Sequence, residues 1–103
     1  MTKRPAIAHE THGSGPDLIL FHGGFGCRKH WSRNIVPLSK YFTVHALDHP
    51  GYGESAGVAR DMTGPEYLDF FHAQLLDMFP GDAPLRFAGF SFGGGISTNM
   101  AAR

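Results

Sequence analysis

The sequence predicts the α/β class: a mostly parallel sheet of about four strands with three helices on its faces. Three observations predict it. Asp17-Leu18-Ile19-Leu20-Phe21 is a continuous apolar run behind a turn, the pattern of a strand buried on both faces. Strand-like and helix-like segments then alternate along the chain, which favours parallel pairing with helices packed on the sheet. A second apolar run, residues 85–89, breaks at Gly89-Phe90-Ser91-Phe92-Gly93 and leads into a helical pattern, so a serine-tipped turn joins strand to helix.

Bulk properties narrow the function. With 103 residues, 42% of them hydrophobic and 13% aromatic, the chain reads as one globular unit with a single core, and no repeat or linker divides it. Nine basic and nine acidic residues give zero formal charge, which leaves no electrostatic footprint for nucleic acid or an anionic membrane surface. No segment approaches the roughly 18 apolar residues of a membrane span, and no apolar run of signal-peptide length follows the charged first residues. The single cysteine, Cys27, has no partner for an internal disulfide and reads as a packed or incidental thiol rather than a nucleophile. These features together predict a cytoplasmic protein.

The elements follow in order. Residues 6–11 read as a short strand, closed by the turn His12-Gly13-Ser14-Gly15-Pro16 before the strand at residues 17–21. That strand ends in His22-Gly23-Gly24-Phe25-Gly26, where glycines let backbone N–H groups face open space at the sheet's carboxyl edge. Trp31, Ile35 and Leu38 share one helical face, so residues 28–40 predict a helix that Pro37 kinks or splits, with Trp31 as core filler. Residues 42–47 predict a third strand, followed by the long loop Asp48-His49-Pro50-Gly51-Tyr52-Gly53-Glu54-Ser55-Ala56-Gly57.

Gly51, Gly53 and Ala56 satisfy a form of the dinucleotide fingerprint. The residues after Gly53 are loop-like, however, and no acidic residue at a strand end follows at the required distance, which argues against nucleotide binding. Thr63-Gly64-Pro65-Glu66 is a capping box with proline in the first turn. Leu68, Phe71, Leu75 and Phe79 carry the helix to a stop at Pro80-Gly81, with His72 at the boundary of the apolar stripe. After the serine turn, Ile96 and Met100 stand four apart on the last helix.

Three loops at strand ends now stand together: the glycine loop at residues 22–26, the Asp48 loop, and Gly89-Phe90-Ser91-Phe92-Gly93-Gly94. In this order they resemble the first half of an α/β-hydrolase of the broad esterase, epoxide hydrolase and haloperoxidase-like superfamily. The fold expected is therefore an incomplete α/β-hydrolase fold, with residues 1–103 as the N-terminal part of one domain. By that resemblance Ser91 is the nucleophile at the tip of a nucleophile elbow; the epoxide hydrolase and dehalogenase branches carry aspartate there.

The resemblance implies an oxyanion hole made by the Phe92 N–H and an N–H of the glycine loop, Gly24 first and Phe25 second. It implies that His22 braces that loop, that Gly23, Gly89 and Gly93 support the site, and that Asp48 structurally opens its own loop. The expected substrate is a small acyl or ester compound, with no cofactor and no metal. Phe25, Phe90 and Phe92 suit an apolar acyl group, though packing explains them as well. The glycine loop is similar to that of proline iminopeptidases and carbon–carbon bond hydrolases but lacks their common proline, so the resemblance stays at superfamily level.

One departure matters. In the family the triad runs serine, acid, histidine along the chain, yet residues 92–103 hold no aspartate, glutamate or histidine. The later strands, the lid, the catalytic acid and the histidine are then absent, and the chain is expected to be inactive alone. Recruiting His22, Asp48 or His49 as a substitute base requires a geometry the family does not use. The alternative is a non-catalytic protein that pairs with a partner, another copy or the missing C-terminal half, through an open sheet edge.

Overall fold

The structure, a computed structural model, describes residues 3–103. Strands β1 (His9–His12), β2 (Asp17–Phe21), β3 (Thr43–Leu47) and β4 (Arg86–Gly89) form one sheet in the order β1-β3-β2-β4. Only β1 runs antiparallel to its neighbour; β2 pairs in parallel with both β3 and β4. Helices α1 (Ile35–Leu38), α2 (Gly64–Met78) and α3 (Phe92–Ala101) complete the fold, with a 3₁₀ turn at Arg28–Trp31. Among the described residues no helix is long and apolar enough to cross a membrane.

The period-2 alternation of β2 and β3 feeds two cores. Ile19, Phe21 and Leu47 face α2 and α3, where they meet Phe71, Leu75, Ile96 and Met100. Leu18, Leu20, Val44 and Ala46 face the other way, toward Ile35, Trp31 and Leu38. This two-sided burial is why the strands read as continuous apolar runs. Phe21 anchors the first core, with Phe87 edge-on at 5.2 Å and Phe71 at 5.7 Å between ring centroids. Such pairs add about 1 kcal/mol beyond the area they bury.

Two boundaries differ from expectation for identifiable reasons. The first strand starts at His9 rather than residue 6, because Ile7 turns into the core and the Ala8 N–H donates to Ser55 Oγ at 2.8 Å. The helix expected over residues 28–40, with Pro37 to kink or split it, is split into a 3₁₀ turn at 28–31 and a short helix at 35–38, with the break at residues 32–34. A continuous helix would drive the Pro37 ring into the Arg33 carbonyl. Restarting at Ile35 places Pro37 in a first turn, where no amide is needed. The apolar stripe survives the break, since Trp31, Ile35 and Leu38 still share one core.

The capping box of α2 forms in full. Glu66 N–H donates to Thr63 Oγ1 at 3.2 Å, and Thr63 N–H donates to Glu66 Oε1 at 3.0 Å. Thr63→Ala removes one of the two bonds and is expected to lower stability by about 1 kcal/mol. In a domain of this size that is a fall of roughly 5 °C in Tm, which thermal circular dichroism measures directly.

The register decides where the loops emerge. Phe21 pairs with Gly89, so β2 and β4 end level, and the glycine loop and the serine turn leave the sheet side by side. Leu20 pairs with Ala46, which brings the Asp48 loop out beside them. In this sheet β4 is an edge strand.

Candidate active site

Phe90 N–H donates to the Phe21 carbonyl at 3.1 Å, carrying the β2–β4 pairing one residue past Gly89. The chain then turns sharply. Ser91 has φ 55° and ψ −115°, and among the described residues it is the one non-glycine with positive φ. Bonds from Gly93 N–H to the Phe90 carbonyl and from Gly94 N–H to the Ser91 carbonyl, both 2.9 Å, close the turn into α3. A side chain held in that region is strained by about 1–3 kcal/mol, and such strain collects at functional sites. The Ser91 side chain is exposed and makes no capping bond to α3, so its hydroxyl is free at the carboxyl edge of the sheet.

Two glycines make the turn possible. A Cβ on Gly89 would meet the backbone of Gly93 and Gly94, and a Cβ on Gly93 would meet the carbonyl oxygens of Phe21 and His22. Both positions are therefore closed to any other residue unless the backbone shifts.

Phe92 opens α3, so its N–H has no intrahelical acceptor. Across from it lies Gly24, where a Cβ would stand 3.4 Å from Phe92 Cβ. The glycine loop thus rests directly against the residue that follows Ser91. Phe25 beside it projects its ring fully into solvent. A turn closed by Gly26 N–H on the Gly23 carbonyl, 3.1 Å, shapes the loop, and His30 Nδ1 accepts from Gly23 N–H at 3.2 Å.

His22 is completely buried, and both its ring nitrogens are engaged. Nε2 accepts from His49 N–H at 3.0 Å, which leaves the proton on Nδ1 to donate to the Gly23 carbonyl at 2.6 Å. Burial lowers its pKa, only partly offset by the Gly23 bond. The ring is a neutral brace between two loops and has no free nitrogen to take a proton from serine.

Asp48 is also completely buried. Its carboxylate accepts from Arg28 N–H at 2.7 Å, from Glu54 N–H at 2.9 Å, and from the Arg28 guanidinium, which also holds Glu10 at 3.1 Å and Glu54. Burial works to raise the Asp48 pKa, but the two N–H bonds and the guanidinium outweigh it and hold the carboxyl below its ordinary value. This cluster ties the glycine loop's exit to the Asp48 loop and to β1. Neither Arg28 nor His30 is recognisable as a site-building residue in the sequence, because their partners lie at unrelated positions.

His49 stacks on His22 at 3.7 Å and is walled by Phe21, Phe71, Tyr52 and Phe92, with both ring nitrogens unpartnered. Burial, then the neighbouring His22, push its pKa down to about 3. A base held neutral in the fold binds its proton only on unfolding, so stability is full above the unfolded value of about 6.5. It falls as pH drops from there toward 3. Asp48 has the usual carboxylate sign, and its contribution is lost only at lower pH. Urea melts are therefore expected to weaken by about 2 kcal/mol between pH 7.5 and pH 5, with His49→Phe flattening that slope.

Comparison with known proteins places these features in context. A family model described as the alpha/beta hydrolase fold matches residues 16–103. The chain is 36% identical over 95 residues to the pimeloyl-[acyl-carrier protein] methyl ester esterase of Vibrio campbellii, covering 89% of this chain and 34% of that protein. It is 34% identical over 96 residues to the protein of the same name from Nitrosomonas europaea, covering 93% and 35%. Among solved structures it is similar to a thermophilic esterase from Thermogutta terrifontis, at 27% identity and a TM-score of 0.80 over 94% of this chain and 35% of that one. The chain spans about a third of the length of the curated relatives it matches.

Proposed function

The chain belongs to the α/β-hydrolase fold family, and from that premise we propose that it carries the nucleophile half of a serine hydrolase acting on carboxylic esters or related acyl compounds. The observation that carries this reading is Ser91, exposed and strained on a turn between β4 and α3, with Gly24 resting against Phe92 beside it. Ser91 Oγ attacks the ester carbonyl carbon, and the carbonyl oxygen becomes an oxyanion. The N–H of Phe92 and an N–H of the glycine loop, Gly24 before Phe25, donate to it. Losing one such donor typically lowers turnover by a hundredfold or more. Collapse expels the alcohol and leaves an acyl-enzyme that water cleaves.

The base and its orienting acid are assigned to sequence outside residues 1–103. Three observations support this: His22 has no free nitrogen, His49 is sealed among aromatic rings, and Asp48 is committed to Arg28 and Glu54. The relatives' name specifies a methyl ester, and short-chain methyl esters are the first substrates to assay. The free edge of β4 favours a companion role as the surface on which a further strand, or a partner chain, completes the sheet.

A fluorophosphonate probe tests the assignment. In a chain that includes the acid and histidine, the adduct is expected on Ser91 by peptide mass spectrometry. Residues 1–103 alone are expected to label no faster than Ser91→Ala. An adduct on any other residue removes Ser91 from the mechanism.

A further inference from the structure

The glycine loop spends some of its N–H groups on itself and its neighbours. Gly23 N–H donates to His30 Nδ1 at 3.2 Å, and Gly26 N–H donates to the Gly23 carbonyl at 3.1 Å. The N–H groups of Gly24 and Phe25 make no hydrogen bond among the described residues. These two are the ones assigned to the oxyanion above, and their direction is set by the peptides beside them. The Gly23 carbonyl and the Gly24 N–H belong to one planar trans unit and point opposite ways. His22 Nδ1 and Gly26 N–H hold that carbonyl, so the Gly24 N–H is turned to the other side. The preceding peptide, which carries the buried Gly23 N–H, takes its hydrogen bond from His30.

His30 is held where it can do this. It lies in the 3₁₀ turn at Arg28–Trp31, and its own N–H donates to the Cys27 carbonyl at 3.0 Å. Its ring stands perpendicular to the Phe90 ring, 6.1 Å between centroids, and edge-on to His22 at the same distance. A Cβ on Gly26 would fall on the His30 ring, and a Cβ on Gly23 would stand 3.0 Å from the Phe90 ring and 3.4 Å from His30. The imidazole is a wedge between the glycine loop and the residue before Ser91.

We propose that His30 is a positioning residue for the oxyanion hole: its Nδ1 clamps the Gly23 N–H while its ring spaces the glycine loop from Phe90, so that the Gly24 N–H faces the oxygen that turns negative when Ser91 attacks. The role requires an unprotonated Nδ1, which puts the ring proton on Nε2. His30 acts through the loop and exchanges no proton with the substrate. The assignment rests on the hydrolase reading above and adds to it the residue that orients the donors.

The test compares His30→Phe, which keeps a planar ring and removes the acceptor, with His30→Asn, whose amide oxygen stands close to the place of Nδ1. In the 103-residue chain, hydrogen exchange of the Gly23 amide is followed by NMR. His30→Phe is expected to speed it roughly tenfold or more while the α2 amides keep their rates, and His30→Asn is expected to stay within about threefold of the parent. Melting curves report whether each variant keeps the fold, and His30→Leu replaces His30→Phe if the larger ring does not fit.

In a chain that includes the acid and histidine, His30→Phe is expected to lower kcat for a methyl ester roughly tenfold or more with KM within about twofold, because the misplaced donors fail the transition state rather than the bound ester. His30→Asn is expected to recover most of that loss. Gly23 exchange that is unchanged in His30→Phe overturns the clamp. Faster exchange with an unchanged kcat, a loss confined to KM, or a loss that His30→Asn does not recover overturns the positioning role. A parent chain whose hydrolysis Ser91→Ala does not lower defeats the hydrolase reading and the oxyanion role with it, while Gly23 exchange still decides the clamp.

Discussion

Ser91→Gly is expected to raise the stability of the chain while removing the proposed nucleophile. At φ 55° and ψ −115° the serine occupies a backbone region that disfavours side chains, and glycine enters it freely. Relief of strain is partly offset by the greater freedom glycine has in the unfolded chain, so the net gain is about 1 kcal/mol, or roughly 5 °C in Tm. Ser91→Ala keeps the Cβ and the strain, so its Tm stays near that of the parent. In a chain that includes the acid and histidine, both variants are expected to lower ester hydrolysis by about four to six orders of magnitude, because each removes the oxygen proposed to attack the ester. The pair therefore separates strain from catalysis. A Ser91→Gly protein that melts below Ser91→Ala would show that the turn is not strained as described.

Gly93→Ala is expected to be the most damaging single-methyl change at the turn. The added carbon would fall on the carbonyl oxygens of Phe21 and His22, which are main-chain atoms of β2 and the glycine loop and cannot move aside as a side chain can. Overpacking of this kind typically costs 1–3 kcal/mol where side chains yield, and with backbone on both sides about 3 kcal/mol or more is expected. The same shift pushes α3 away from the glycine loop and separates Phe92 from Gly24, the residues proposed to supply the oxyanion donors. Urea denaturation of Gly93→Ala beside the parent measures the first effect. A loss below 1 kcal/mol would mean that strand and helix separate easily at this point.

Much of the fold was legible because it rests on local signals. The capping box at Thr63 and Glu66 is a four-residue pattern whose bonds close within one helical turn. The apolar runs of β2 and β3 announce burial on both faces, since a strand with one wet face alternates. The serine turn was legible for the same reason: the glycines that relieve its crowding stand within two residues of Ser91.

Pro37 was read as an obstacle that kinks or splits the helix, and the helix is split, with the break at residues 32–34. A proline forbids an amide bond, but where the helix restarts depends on which turn can do without one.

What the sequence by itself determined was the identity and order of the elements, the serine-tipped turn, and the loops that frame it, because each is written in residues a few positions apart. Tertiary structure alone decided the rest. It set Arg28 between Asp48, Glu10 and Glu54, contacts that bridge 20, 18 and 26 positions. It stacked His49 on His22, sealing one and committing both nitrogens of the other. It laid Gly24 against Phe92. The physical reason is that local preferences fix a residue's backbone but not its distant partner. Partners are selected when the sheet register brings three strand ends level, and only there do an isolated arginine and two histidines take on their roles.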